Sequence, residues 1–261
     1  MISIKTNSEL ATMRQGGRYL AQLLNHLSQM VRSGLVTQAL DQGAEAFIAK
    51  LKAQEPQSQI SASFLNYQGY PASICLSINE EVVHGLPSPK RVIQAGDVVS
   101  IDAGLLYNGF HVDSAITVLV PGGPRGSNRQ NRELLAVTQE ALNLGIKQAI
   151  VGNRIGAISW AVEEFIRAHR MGIVRELVGH GIGRQLHEAP QIPNFGPADR
   201  GETLKAGMAL AIEPMVSLKQ GPVILAEDGF AYRTKDGSLS AHFEHTVAIT
   251  ESGPQVLTVD N

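Results

Sequence analysis

Gln94-Ala95-Gly96-Asp97-Val98-Val99-Ser100-Ile101-Asp102 and Lys205-Ala206-Gly207-Met208-Ala209-Leu210-Ala211-Ile212-Glu213 share one pattern, 111 residues apart. Each passes from Ala-Gly into an apolar run and ends on a carboxylate. A second correspondence, offset by 118 residues, sets Gly34, Ala39, Glu45, Phe47 and Ile48 against Gly152, Ala157, Glu163, Phe165 and Ile166. Matches in the same order at similar offsets imply two related halves, residues 1–120 and 130–261, joined near 121–130. A short apolar run behind a turn signal reads as a buried strand. On this reading Asp102 and Glu213 each end a strand and face the crevice between the halves. Uncompensated anions in such a place are unfavourable, so a cation is expected there.

Outward from these stretches, the helices and remaining strands follow from periodicity. Leu10, Met13, Leu20, Leu24, Leu27 and Val31 recur at three- and four-residue spacing and predict a helix over 8–32, capped by Asn7 or Ser8 and stopped at Ser33-Gly34. A second helix is predicted over 37–53, and two more over 130–149 and 156–170. Strands are predicted over 72–78, 98–101 and 110–120, the last two flanking the hairpin signal Leu106-Tyr107-Asn108-Gly109. Residues 121–128, rich in Gly and Pro, read as a connector. The fold class is mixed α/β, an internally duplicated single domain over 1–261.

Composition removes several classes. The chain has 261 residues, 43% of them hydrophobic and 18% charged, which excludes disordered and collagen-like chains. Its 22 basic and 24 acidic residues give a net charge of −2, with no single-sign run to attract nucleic acid or an anionic membrane. The single cysteine, Cys75, can form no intrachain disulfide, which together with a short polar start predicts a cytoplasmic protein. No apolar run reaches the ~18 residues of a membrane helix.

Five segments concentrate acids and imidazoles beside apolar runs: Ile101-Asp102-Ala103-Gly104, Gly109-Phe110-His111-Val112-Asp113-Ser114, Gly179-His180-Gly181-Ile182-Gly183, Ile212-Glu213-Pro214 and Ala241-His242-Phe243-Glu244-His245-Thr246. Asp102 and Asp113 are eleven residues apart across the hairpin, where antiparallel pairing can set them side by side. Four carboxylates with one imidazole suit Mn, Fe(II), Co or Mg better than the thiolate set of structural zinc. Two ions would balance four negative ligands, and a pair ~3.5–4 Å apart can activate water and polarise a carbonyl. One acid beside a strand is as readily a solvated surface group; five such segments together are not. Leu186 stands where a dinucleotide-binding glycine would be needed, and His187-Glu188-Ala189-Pro190 is no helical zinc-protease motif. The glycines at 179, 181 and 183 are read as letting backbone approach a metal site around His180. Of the histidines, His26 and His169 read as surface groups, whereas His84, His180 and His187 lie in loop-like segments that present functional groups. His111, His242 and His245 adjoin candidate ligands.

Taken in order, Asn79-Glu80-Glu81-Val82-Val83-His84-Gly85-Leu86-Pro87, the aspartates at 102 and 113, Gly179 to Gly183 with His187 to Pro190, Ile212-Glu213-Pro214 and Glu244-His245-Thr246 resemble the type I methionine aminopeptidases, two-metal hydrolases of the M24 pita-bread family. The resemblance covers nearly the whole chain. It implies a curved antiparallel sheet covered by two pairs of helices. It also implies removal of the N-terminal methionine from nascent chains, with a small second residue preferred. Asp102, Asp113, His180, Glu213 and Glu244 match the family's ligands for two divalent ions (Co, Mn or Fe(II)), Asp113 and Glu244 bridging. His84 matches the histidine on the scissile amide, His187 the one on its carbonyl oxygen, and Glu213 the proton shuttle. Phe64, Tyr67, Cys75, Leu186 and Phe230 match the methionine pocket. Three features depart from the family's usual pattern: Val83 replaces a cysteine, His242 a glutamine, and Asp102-Ala103-Gly104 resembles the Asp-x-Gly of prolidases and aminopeptidase P. The alternatives are a proline-specific peptidase of the same fold and a non-catalytic binding protein. Against the latter, every ligand position is filled. The resemblance further implies a monomer whose partners are nascent N-termini, with transient ribosome association and neither nucleic acid nor membrane as target.

Overall fold

In the computed structural model, which describes residues 2–123 and 129–260, each half carries a pair of helices. These are α1 (Asn7–Met30) and α2 (Gln38–Gln54), then α3 (Arg129–Gln148) and α4 (Ile155–Ala168). The apolar stripe of α1 is buried through Met13, Leu20, Leu23, Leu24 and Leu27. Gly16 and Gly17 on the same face let the helix lie against the sheet. A Cβ on Gly17 would come within 2.2 Å of the Leu257 carbonyl oxygen. The cap is neither Asn7 nor Ser8 but Thr6, whose hydroxyl accepts from the Glu9 amide while the Glu9 carboxylate accepts from the Thr6 amide. This reciprocal box is worth about 1 kcal/mol. The helix stops at Met30 rather than 32, because Val31 is already extended. Residues 124–128 of the expected connector lie outside the described residues.

The first half contributes strands β1 (Ile60–Ala62), β2 (Ile74–Ile78), β3 (Glu81–Val83), β4 (Val98–Tyr107) and β5 (Phe110–Leu119). The second contributes β6 (Gly172–Ile173), β7 (Gly179–Gly181), β8 (Glu188–Ile192), β9 (Ala209–Ile212) and β10 (Met215–Ser217). It continues with β11 (Val223–Leu225), β12 (Tyr232–Thr234), β13 (Ser240–His242), β14 (Glu244–Thr250) and β15 (Gly253–Val256). The strand expected from residue 72 starts at Ile74, because the Asp41 carboxylate takes the amides of Ser73 and Ile74 before pairing begins. β4 runs six residues past the expected end at 101, and the turn shrinks to Asn108-Gly109, with φ of 46° and 82°. Positive φ at both central residues is what a tight two-residue hairpin requires.

A nine-stranded antiparallel sheet crosses both halves in the order β1-β4-β5-β14-β9-β7-β8, with β2 on β4 and β15 on β14. At its centre β5 meets β14, pairing Ala115 with Glu244 and Ser114 with His245. The Thr246 hydroxyl reinforces this seam, accepting from the Asp113 amide at 2.9 Å and donating to the Asp113 carbonyl at 2.8 Å. The first helix pair packs on Ile74, Leu76, Ile101 and Leu105; the second packs on Leu210, Ile212, Val247 and Ile249. The repeat seen in sequence is also a repeat of backbone course. Gly96 and Gly207 have φ of 89° and 88°, and Gly34 and Gly152 have 86° and 90°. Among the described residues no helix is long and apolar enough to cross a membrane.

Candidate metal centre

Asp102 does not end its strand. It sits in mid-β4, because the register continues through Gly104, while Glu213 follows the last residue of β9. Nor do the two aspartates face each other directly. Asp102 pairs with Ala115 and Asp113 with Gly104, an offset of two residues that keeps both carboxylates on one face as diagonal neighbours. That face forms the floor of a cavity of about 720 Å³. Asp102, Asp113, His180, Glu213 and Glu244, drawn from five separate segments, all line it.

Asp113, His180 and Glu244 each bring one donor atom within 4.8 Å of the others. Nε2 of His180 lies 3.6 Å from Oε1 of Glu213. His180 is held by its neighbours, its Nδ1 2.9 Å from the Gly181 carbonyl oxygen. Close strand packing explains the glycines here: a Cβ on Gly179 would meet the Ala211 carbonyl oxygen at 2.4 Å, and one on Gly181 the Ala189 oxygen at 2.2 Å. The two glycines that flank His180 thus admit neighbouring backbone beside the candidate ligand. Gly183 makes room for the Lys5 side chain.

The electrostatics of this floor call for a cation. Burial, reinforced by Asp113 and Glu213, pushes Asp102 well above the usual carboxylate range. Glu213 and Glu244 are raised by burial and then by Asp113. Asp113 rises to about 7, again through burial. Among the described residues no lysine or arginine pairs with any of the four. One oxygen of each of Asp102, Asp113 and Glu244 is buried without a hydrogen-bond partner among the described residues. Orphaned buried acceptors of this kind are rare, and hard divalent ions are held by carboxylate oxygen and imidazole nitrogen. The donor set therefore fits the metal that the sequence leads one to expect.

The other expected residues converge on the same cavity: His84, His187, Phe64, Tyr67, Cys75, Leu186 and Phe230 all line it. His84 follows β3 with φ of 58° and meets the Tyr232 ring edge-on, centroids 6.0 Å apart. Its ring is open to the cavity, yet the surrounding walls, and then His187, lower it to about 4. His187 packs edge-on against His180 at 4.3 Å and is lowered by burial. Burial raises the thiol of Cys75. His26 and His169 are surface groups, as expected. His111 bonds Ser63 and His245 bonds Thr258, so neither faces the cavity. His242 does line it. Among the wall residues that escaped the sequence reading are Tyr70, whose hydroxyl donates to the Gly85 carbonyl at 2.8 Å, and Tyr232, which pairs with Val83 in register. No local signal marks them, because each reaches the wall through a pairing made elsewhere in the chain.

The model of metallopeptidase family M24 matches residues 11–251. A methionine aminopeptidase from Bacillus subtilis is 44% identical over 259 residues, 99% of each chain. The chain belongs to metallopeptidase family M24, among its methionine aminopeptidases. The crystal structure of the Thermotoga maritima methionine aminopeptidase superimposes with a TM-score of 0.93 at 40% identity, covering 99% of this chain and 100% of that one. An Xaa-Pro dipeptidase from Bacillus anthracis is 23% identical with a TM-score of 0.73, and 61% of it is covered, a likeness of fold alone. The pita-bread architecture expected of an M24 methionine aminopeptidase is the one present, a curled antiparallel sheet flanked by helix pairs.

Proposed function

We propose that this M24 enzyme releases N-terminal methionine from nascent chains in the cytoplasm, with the whole chain acting as one catalytic domain and as a monomer. The observation that carries the proposal is the set of four mutually repelling carboxylates on the floor of one cavity, three of them (Asp102, Asp113 and Glu244) with a buried oxygen that has no hydrogen-bond partner among the described residues. Asp102, Asp113, His180, Glu213 and Glu244 would hold two divalent ions, and Co, Mn and Fe(II) all suit the set. When bound, such ions lower the pKa of water and polarise a carbonyl.

The chain's own groups account for the remaining chemistry. Phe64, Tyr67, Leu186 and Phe230 offer apolar walls, and Cys75 a polarizable one, to an unbranched thioether side chain. This anchors the first residue and leaves its peptide bond over the acidic floor. Glu213, a carboxylate made more basic by burial and by Asp113, accepts the proton of the attacking water. His187 donates to the carbonyl oxygen as charge develops on it. His84, neutral at physiological pH, contacts the scissile amide. The C–N bond then breaks and the proton passes to the leaving amine. A small second residue is the preference that the resemblance implies. Transient ribosome association would bring nascent N-termini to the site.

The test is methionine release from Met-Ala-Ser by metal-stripped protein, with and without Mn(II) or Co(II), beside an Ala-Pro-Ala control. Release from the first peptide only with metal is expected. Cleavage of the proline peptide instead would move the chain to the other M24 activity, and cleavage of neither by folded, metal-binding protein would leave a binding role.

A further inference from the structure

His242 is 1% exposed, lines the acidic cavity, and has no hydrogen-bond partner on either ring nitrogen among the described residues. Its main chain is held on two sides: β13 pairs it with Met215 of β10, and the His242 amide donates to the Thr117 hydroxyl at 3.0 Å while that hydroxyl donates back to the His242 carbonyl at 2.6 Å. The ring is thereby held toward the floor. Its Nε2 lies 3.6 Å from Oε2 of Glu213 and 3.9 Å from Oε2 of Glu244. On the other side of the same carboxylate, His180 Nε2 lies 3.6 Å from Oε1 of Glu213. Two imidazoles thus flank Glu213 at equal separation, one on each oxygen.

These separations are long for hydrogen bonds. They match donors sharing an ion instead, since ligands about 2.0–2.2 Å from one centre sit about 3–4 Å apart. We propose that His242 is an additional imidazole donor to the metal centre, across Glu213 from His180. The inference rests on the metallopeptidase reading above. The resembling family usually has glutamine at this position, so the donor belongs to this chain's own sequence. A second imidazole makes the set softer and favours Co(II) over Mn(II) more than an all-carboxylate set with one histidine would.

The test titrates metal-stripped wild type, His242→Gln and Glu244→Ala with Co(II) and separately with Mn(II), by calorimetry and by the visible spectrum of the Co(II) form. His242→Gln is expected to weaken Co(II) by ~10-fold or more, to weaken Mn(II) clearly less, and to shift the Co(II) bands. An unchanged spectrum overturns the proposal, whether affinity is unaltered or falls equally for both metals. Should His242→Gln not fold, spin-echo modulation of the wild-type Mn(II) protein decides by counting coupled imidazoles: two are expected, and one overturns the proposal. Wild type that binds neither metal stoichiometrically would sink the metallopeptidase reading itself. Wild type that binds with a single imidazole would sink only this inference.

Discussion

The Tyr67 hydroxyl lies 2.8 Å from Nδ1 of His187, across 120 residues of sequence, with the two rings edge-on at 5.2 Å. With the phenol donating, Nδ1 accepts and Nε2 carries the proton, the form that can donate to a carbonyl oxygen. Tyr67→Phe keeps the ring and removes only this bond. A side-chain hydrogen bond of this kind is worth about 1 kcal/mol, so kcat should fall by roughly 5- to 10-fold with KM little changed. Steady-state kinetics on a Met-Ala peptide measure both, and an unaltered kcat would detach the hydroxyl from catalysis.

Lys5 and Glu188 form a buried ion pair at 2.8 Å, their side chains 3% and 12% exposed. The other Glu188 oxygen accepts from the Gln185 amide at 3.1 Å, so the pair ties the N-terminal segment to the loop carrying Leu186 and His187. Removing one partner strands a buried charge. Lys5→Met should therefore lower stability by about 3–5 kcal/mol in denaturant unfolding. The double variant with Glu188→Gln should recover part of that loss, and equal losses in both would argue against the stranded charge.

Asp113 and Glu244 occupy the centre of the floor. Replacing either with Ala should abolish turnover and reduce the metal bound per chain, read by titration of the stripped protein. Full activity with wild-type stoichiometry in either variant would remove that residue from the bridging role.

In metal-free protein Asp113 has a folded pKa of about 7, above its ordinary 3.8. A raised carboxylate contributes stability that is present below the unfolded value and lost as pH rises through the folded one. His84 and His180, lowered to about 4 from 6.5, contribute in the opposite sense, with stability present above 6.5 and lost as pH falls toward 4. Above pH 6.5 the carboxylates dominate. The melting temperature of stripped protein should fall between pH 6.5 and 8, and its gap from Mn(II)-loaded protein should widen. A gap independent of pH would mean that these carboxylates are not what the metal neutralises.

Cys75 is buried in the cavity wall, and its thiol is raised by burial. Only the thiolate reacts appreciably with alkylating agents. Iodoacetamide should leave folded protein unmodified at pH 7.5 and label it stoichiometrically in denaturant, by intact mass. Rapid labelling of the folded chain would place the thiol at an open surface.

Much was legible in sequence because it is local. The stripe from Met13 to Leu27 buries itself whatever lies opposite, and Asn108-Gly109 dictates a tight hairpin through its own backbone freedom. The duplicated Ala-Gly signals at 95–96 and 206–207 mark the two halves, and the identities of the five expected ligands stand in short motifs. The ends of elements were less legible. Thr6 took the cap because Glu9 was placed to reciprocate, and β4 ran on to Tyr107 because β1 and β5 were there to pair with it.

Only the tertiary structure decided how those motifs meet. The diagonal offset of Asp102 and Asp113 is a matter of register, set once the turn closes on Asn108-Gly109 alone rather than on the wider signal from Leu106. The seam of Ser114 with His245 brings residues from opposite halves to one floor. The placing of His242 beside Glu213, of Tyr67 beside His187 and of Lys5 beside Glu188 depends on pairings between distant segments. Local chemistry selects each residue's conformation, but distances between them are set only when the whole sheet closes and buries its core.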